Sequence, residues 1–211
     1  MAAPDFPITK ERIQHHFHYA WWQYLALVVV AVFGVNLIFT MTHYRSPEHL
    51  KVEWYYQGIS SPDTVGLGQQ LLEEIWQECF PEMEEVNFNI AGTDQTYGAM
   101  QLMAWIAAGQ GDLYMLQKDT FKGYADENSM VDLQPYVDDG TLNVEGIDLK
   151  ACTFTNPETG ITGLYGIPCD TLQKMWDYDM KPEGVVMCLP LGSGNIENAV
   201  ILLDYLLDNL Q

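Results

Sequence analysis

No arginine follows Arg45 and no histidine follows His49 in this chain of 211 residues. Residues 52–211 therefore lack a neutral-pH general base of the imidazole type, a Ser-His pair, a histidine zinc ligand and a guanidinium for bidentate capture of phosphate or carboxylate. Basic charge as a whole is scarce there: five lysines (Lys118, Lys122, Lys150, Lys174 and Lys181) stand against 26 acidic residues, a formal charge of −21. Such a surface repels nucleic acid and anionic headgroups. Solubility and standing off an anionic surface both account for it. Phosphate-binding glycine motifs and the D-x-D-x-D-G calcium spacing are also absent, and Gly192-Ser193-Gly194 reads as a turn.

The longest gap is in charge itself. Residues 21–41 (WWQYLALVVVAVFGVNLIFTM) contain no charged residue, and as a helix they extend roughly 30 Å, the thickness of a bilayer's hydrocarbon core. Tyr19, Trp21, Trp22 and Tyr24 flank one end and Phe39 and Tyr44 the other, where amphipathic rings favour the headgroup level. The run is long for a secretory signal, and no cysteine occurs before Cys79 to accept a lipid. An uncleaved signal anchor is expected. Lys10 and Arg12 balance Arg45 and Lys51 across it, so orientation rests on the acidic domain lying outside the cell membrane. The expected divisions are a cytoplasmic segment 1–20, a transmembrane helix 21–42, a linker 43–50 and a domain 51–211. His15, His16 and His18 read as a juxtamembrane cluster rather than a metal site.

Beyond the linker, VEWYY (52–56) reads as a strand, and Leu67, Leu71, Leu72, Ile75, Trp76 and Cys79 follow at helical spacing. VNFNI (86–90) alternates as a strand. Thr93 or Asp94 caps a helix carrying Tyr97, Met100 and Met103 and ended by Gly109, and GDLYML is a buried strand. Asp119 is placed as N-cap of DTFKGYAD, VDLQPYVDDG as a turn-rich surface segment, GLYGIP (163–168) and VVMCLP (185–190) as strands, and Asn195 as cap of a closing helix. Residues 141–160 show no clear period. Alternating strands and helices predict an α/β domain of three layers, α/β/α, with a mostly parallel sheet. Cys79, Cys152, Cys169 and Cys188 permit three pairings, or free thiols.

The order of four segments resembles the extracellular solute-binding proteins of ABC importers with the two-lobed, maltose-binding type of fold. The segments are the opening strand and helix of residues 52–80, WIAAGQGDLYML, MVDLQPYVDDG with the later GLYGIP, and VVMCLPLGSGNIENAVILLDYLL. The resemblance implies one lobe of a periplasmic-binding fold, with only sixteen residues, 169–184, where a second lobe would be built. It also implies partners: a membrane protein such as the permease subunits of an importer, a sugar or peptide ligand, and the bilayer through residues 21–42.

In an open α/β sheet the ligand crevice lies at the carboxyl ends of the strands. That rule selects Tyr56, Gln57 and Gly58 after the first strand and Gln117, Lys118 and Asp119 after GDLYML, with Tyr165 expected near the same edge. At least one of Trp54, Tyr55 and Tyr56 must serve the core alone, because strand side chains alternate. Adjacent acids such as Glu73-Glu74, Glu84-Glu85 and Asp138-Asp139 read as solvated pairs, leaving Asp138 and Asp139 open to weak divalent binding. The expectation is binding without catalysis, cofactor or resident metal.

Overall fold

A computed structural model describes residues 10–42, 46–59, 61–94, 96–155, 160 and 162–211, with backbone alone for 11–17. The expected roles of His43, Tyr44 and Arg45, and those of the side chains of Arg12, His15 and His16, lie outside the described residues. The chain divides into two compact units, Met1–Arg45 and Ser46–Gln211.

The first unit is one helix, α1 (Lys10–Thr42). It starts eleven residues ahead of the expected span, because residues 10–20 contain neither glycine nor proline to stop it. Its segment His18–Thr42 is, by length and composition, apolar enough to cross a membrane. Thr40 and Thr42 donate their hydroxyls to the carbonyls of Asn36 and Ile38, at 2.8 and 2.7 Å, so neither hydroxyl needs an outside acceptor.

The second unit is a mixed α/β domain. Its strands are β1 (Lys51–Gln57), β2 (Glu85–Ala91), β3 (Leu113–Gln117), β6 (Ile167–Pro168) and β7 (Val185–Cys188), in the sheet order β2-β1-β3-β7-β6. A separate hairpin joins β4 (Thr153–Thr155) to β5 (Thr162–Leu164). β1 pairs parallel with β2 and β3, and β7 runs antiparallel to β3 and β6. Four of the five strands thus point one way. β1 shows no apolar alternation because both its faces are covered, which is the habit of parallel strands.

Side-chain parity assigns the helices to the faces. Trp54 meets its register partner Phe88 edge-on at 4.8 Å, and the Phe88 ring presses on Gly68 of α2 (Pro62–Cys79), where an added Cβ would lie 2.3 Å away. α6 (Ile196–Asn209) packs beside α2, with the Tyr205 hydroxyl donating to Glu78. On the opposite face Tyr55 stacks on Tyr114 at 4.9 Å and meets Trp105 of α3 (Tyr97–Ala107) at 4.7 Å. α4 (Lys118–Asp126) covers the same face farther along, its Phe121 lying under Gly166 and against Phe154.

Local chemistry explains the ends of these elements. Ser61 caps α2 by accepting from the Thr64 N–H at 3.0 Å, with Pro62 in the first turn. Asp94 accepts from the N–H groups of Thr96, Tyr97 and Gly98 and so holds the start of α3. Four expectations change. Asp119 lies inside the first turn of α4 and Gln117 occupies the cap position, because β3 passes directly into the helix. Asn195 precedes α6 but gives its amide to the Lys51 carbonyl at 2.9 Å instead of capping. VDLQPYVDDG contains a short helix, α5 (Gln134–Asp138), opened by Pro135. GLYGIP forms two strands, β5 and β6, because Gly166 lets the chain cross against Val186 and Phe121 more closely than any Cβ would permit.

Candidate functional site

The carboxyl ends of β1, β3 and β6 share one edge of the sheet, and two depressions open along it. The first, of about 610 Å³, is lined by Tyr56, Gly58, Gln117, Trp176, Asp179 and Lys181, with Ile59 and Thr93. The second, of about 330 Å³, holds Lys118, Asp148 and Asp170 over Cys152, Pro168 and Val186.

The first is built from the end of β1. Gln57 is buried, and its side-chain oxygen accepts from the Gln117 N–H at 2.9 Å, while the Gln117 side chain donates to the Gln57 carbonyl at 3.1 Å. This reciprocal pair extends the β1–β3 junction past the last ladder bond. Tyr56 is buried too, and its phenol oxygen accepts from the Lys181 N–H at 3.0 Å. Burial raises the Tyr56 phenol above its ordinary range, partly offset by that hydrogen bond. Gly58 passes over the Tyr56 ring, where a Cβ would come within 2.0 Å of it, and donates its N–H to the Ala91 carbonyl.

The opposite wall is the connection 169–184. Asp179, in the left-handed region at φ 56°, accepts from the hydroxyls of Ser61 at 3.2 Å and Thr64 at 2.5 Å, which ties the connection to the first turn of α2. A carboxylate there also complements the positive end of the helix. Exposed apolar groups stand at the rim, with Ile59 81% and Trp176 52% accessible.

Of the residues selected from the sequence, Tyr56, Gly58 and Gln117 meet in the first depression and Lys118 lines the second. Gln57 is committed to the strand junction. Asp119 is exposed on α4, and Tyr165 lies half-buried between β5 and β6 with its ring 6.5 Å from Phe154, lining neither depression. Trp176, Asp179 and Lys181 were not selected. An exposed tryptophan within the polar run WDYDMK is the one sequence feature that marks them.

All four thiols are free. Burial pushes those of Cys152, Cys169 and Cys188 upward, Cys152 to about 12, so they stay protonated and weakly nucleophilic near neutral pH. No group of three or more His, Cys, Asp or Glu side chains able to hold a metal ion occurs among the described residues. The edge offers hydrogen-bonding groups, one indole face and fixed backbone.

No family model and no curated protein matches the sequence. Among solved structures, the chain is similar to an extracellular solute-binding protein, family 1, from Alicyclobacillus acidocaldarius, at 17% identity and a TM-score of 0.42, over 59% of this chain and 29% of that one. It is likewise similar to an ABC substrate-binding protein from Listeria monocytogenes in complex with cycloalternan (21% identity, TM-score 0.36, 55% and 28% covered). A third is the N-glycan transport solute binding protein from Streptococcus pneumoniae (16% identity, TM-score 0.40, 56% and 25% covered). These three are solute-binding proteins. The chain spans between 25% and 29% of their lengths.

Proposed function

We propose that this chain is a membrane-anchored extracytoplasmic binding module, a single-lobe relative of the solute-binding proteins of ABC importers that works as an accessory to a transporter. The helix over residues 21–42 is the anchor, 43–50 the linker and 51–211 the domain. The observation that carries this reading is the connection 169–184. It is a folded cap rather than a stump: Leu172, Met175 and Met180 are fully buried, and the Lys174 N–H donates to the Leu210 carbonyl at 3.0 Å.

A two-lobed receptor encloses its ligand by hinge closure, and enclosure supplies much of its affinity. With a cap between β6 and β7, the first depression stays open on one side. Its exposed Ile59 and Trp176, beside Tyr56, Gly58 and Gln117, form a surface suited to a protein partner, for which permease subunits in the same membrane are the natural candidates. Binding rather than catalysis is the role, since residues 52–211 supply neither histidine nor arginine.

The test is capture of the full chain from membranes in mild detergent after cross-linking. Multi-span membrane subunits recovered with the intact chain, and lost with Trp176→Ala, support the reading. A second reading, direct low-affinity reception of a sugar or peptide, is favoured by the exposed Trp176 ring beside Gln117, Asp179 and Lys181. Calorimetric binding of an oligosaccharide or peptide at micromolar affinity, with no membrane subunit captured, would replace the first reading by the second.

A further inference from the structure

The second depression is independent of the Tyr56 cleft, and its charges are arranged differently. Lys118 follows β3 and Asp170 follows β6, with β7 between them in the sheet. Two strand spacings place their backbones on the order of 10 Å apart. Gly184 sits between, donating its N–H to the Asp170 carboxylate at 3.1 Å, while its carbonyl accepts from the Lys118 N–H at 2.9 Å. Gly184 has φ +72°, and a Cβ built on it would meet nothing within 4 Å, so the space above it is open.

Asp148 lines the same depression, and no ion pair within 4 Å joins Lys118 to Asp148 or Asp170 among the described residues. Lys118, Asp148 and Asp170 nevertheless line one depression together with Cys152. Its floor is apolar, made by Cys152, Pro168, Val185 and Val186. A cavity of about 330 Å³ is at the small end of ligand sites.

We propose that this depression binds a small zwitterion of the aliphatic α-amino acid class, its carboxylate on Lys118, its ammonium on Asp170 and Asp148, and its side chain on the apolar floor. A ligand with one charge engages only one end of this arrangement, and a neutral sugar engages neither with a charge of its own. Charge-assisted hydrogen bonds at both ends are the source of selectivity.

The test is calorimetry of the full chain in detergent with three probes of equal size: L-leucine, L-leucinamide, which lacks the carboxylate, and 4-methylpentanoate, which lacks the ammonium. L-Leucine binds saturably, and each of the others at least about tenfold more weakly. Lys118→Met weakens L-leucine about tenfold and leaves L-leucinamide unchanged, whereas Asp170→Asn, which keeps the acceptor for the Gly184 N–H, weakens L-leucine and leaves 4-methylpentanoate unchanged. Trp176→Ala, in the other depression, changes none of these. No saturation by L-leucine at about 10 mM, equal binding of the three probes, or indifference to Lys118→Met overturns the proposal. The Tyr56 cleft would be untouched by that failure, since partner capture reads it separately.

Discussion

Replacing Asp112 by asparagine should make the domain more stable at neutral pH and remove part of its pH dependence. Asp112 lies immediately before β3, 6% exposed, with one oxygen accepting from the Glu53 N–H at 2.8 Å and the other from the Ser193 hydroxyl at 2.7 Å. Those bonds favour the ionised form, but burial outweighs them and Glu53 adds repulsion, so its carboxyl is raised from 3.8 to about 6. Between those values the folded chain holds a proton that the unfolded chain has released, so stability falls as pH rises from about 4 to about 6 and stays lower above that. Two pH units at 1.36 kcal/mol each amount to roughly 3 kcal/mol. Asparagine keeps one acceptor for the Glu53 N–H and offers its NH₂ to the Ser193 oxygen, so the geometry survives without the charge. Urea unfolding of the full chain in detergent, read by circular dichroism at several pH values from 4 to 7.5, measures the difference. Asp94 and Asp139, held below the usual carboxylate range chiefly by hydrogen bonds from Tyr97 and Thr141, lose their contribution only as pH falls below about 4, outside this window. The reasoning fails if the Asp112→Asn chain keeps the wild-type slope between pH 4 and 6, or is weakened equally at every pH.

Three further outcomes follow from packing. Gly68→Ala should destabilise by about 1–3 kcal/mol in urea titration, because its Cβ would press into the buried Phe88 ring and the helix gain from alanine, about 1 kcal/mol, is too small to compensate. Trp54→Phe should cost about 1 kcal/mol or less, far below the ~3–5 kcal/mol of a tryptophan-to-alanine change, since the Trp54 Nε1 is buried with no acceptor among the described residues and phenylalanine removes that unmet donor. Met175→Ala should cost about 2–5 kcal/mol if the connection 169–184 belongs to the core; a change below about 0.5 kcal/mol would mean that the cap is a loose loop.

The order of elements was legible because each carried a local mark: Ser61 with Pro62 before α2, Asp94 before α3, and apolar runs for β1, β3 and β7. What was not legible has physical causes that act at a distance. VEWYY shows no alternation, so which aromatic faces which helix layer depended on the register that sets Trp54 opposite Phe88 and Tyr55 opposite Tyr114. Asn195 has the composition of a cap, yet the Lys51 carbonyl, 144 residues away in sequence, takes its amide. The break of GLYGIP into two strands depends on how close Val186 and Phe121 come to Gly166, a contact between segments that no local pattern records.

The candidate site divides in the same way. The rule that ligands meet the carboxyl edge of a sheet needs only strand order and direction, and it leads to Tyr56, Gly58, Gln117 and Lys118. Yet the polar groups supplied there by the strands themselves are largely spent on structure. Gln57 and Gln117 satisfy each other's strands, and the Tyr56 phenol is taken by the Lys181 N–H. The exposed groups along the edge, the Trp176 indole, the Lys118 ammonium and the Asp170 carboxylate, which also accepts the Gly184 N–H, come from the strand-to-helix junction and from the connection 169–184. On the proposed reading, recognition at this edge depends on how sixteen residues fold back over Tyr56, and a variant that loosens them, such as Met175→Ala, should weaken binding along the whole edge while leaving every strand residue in place.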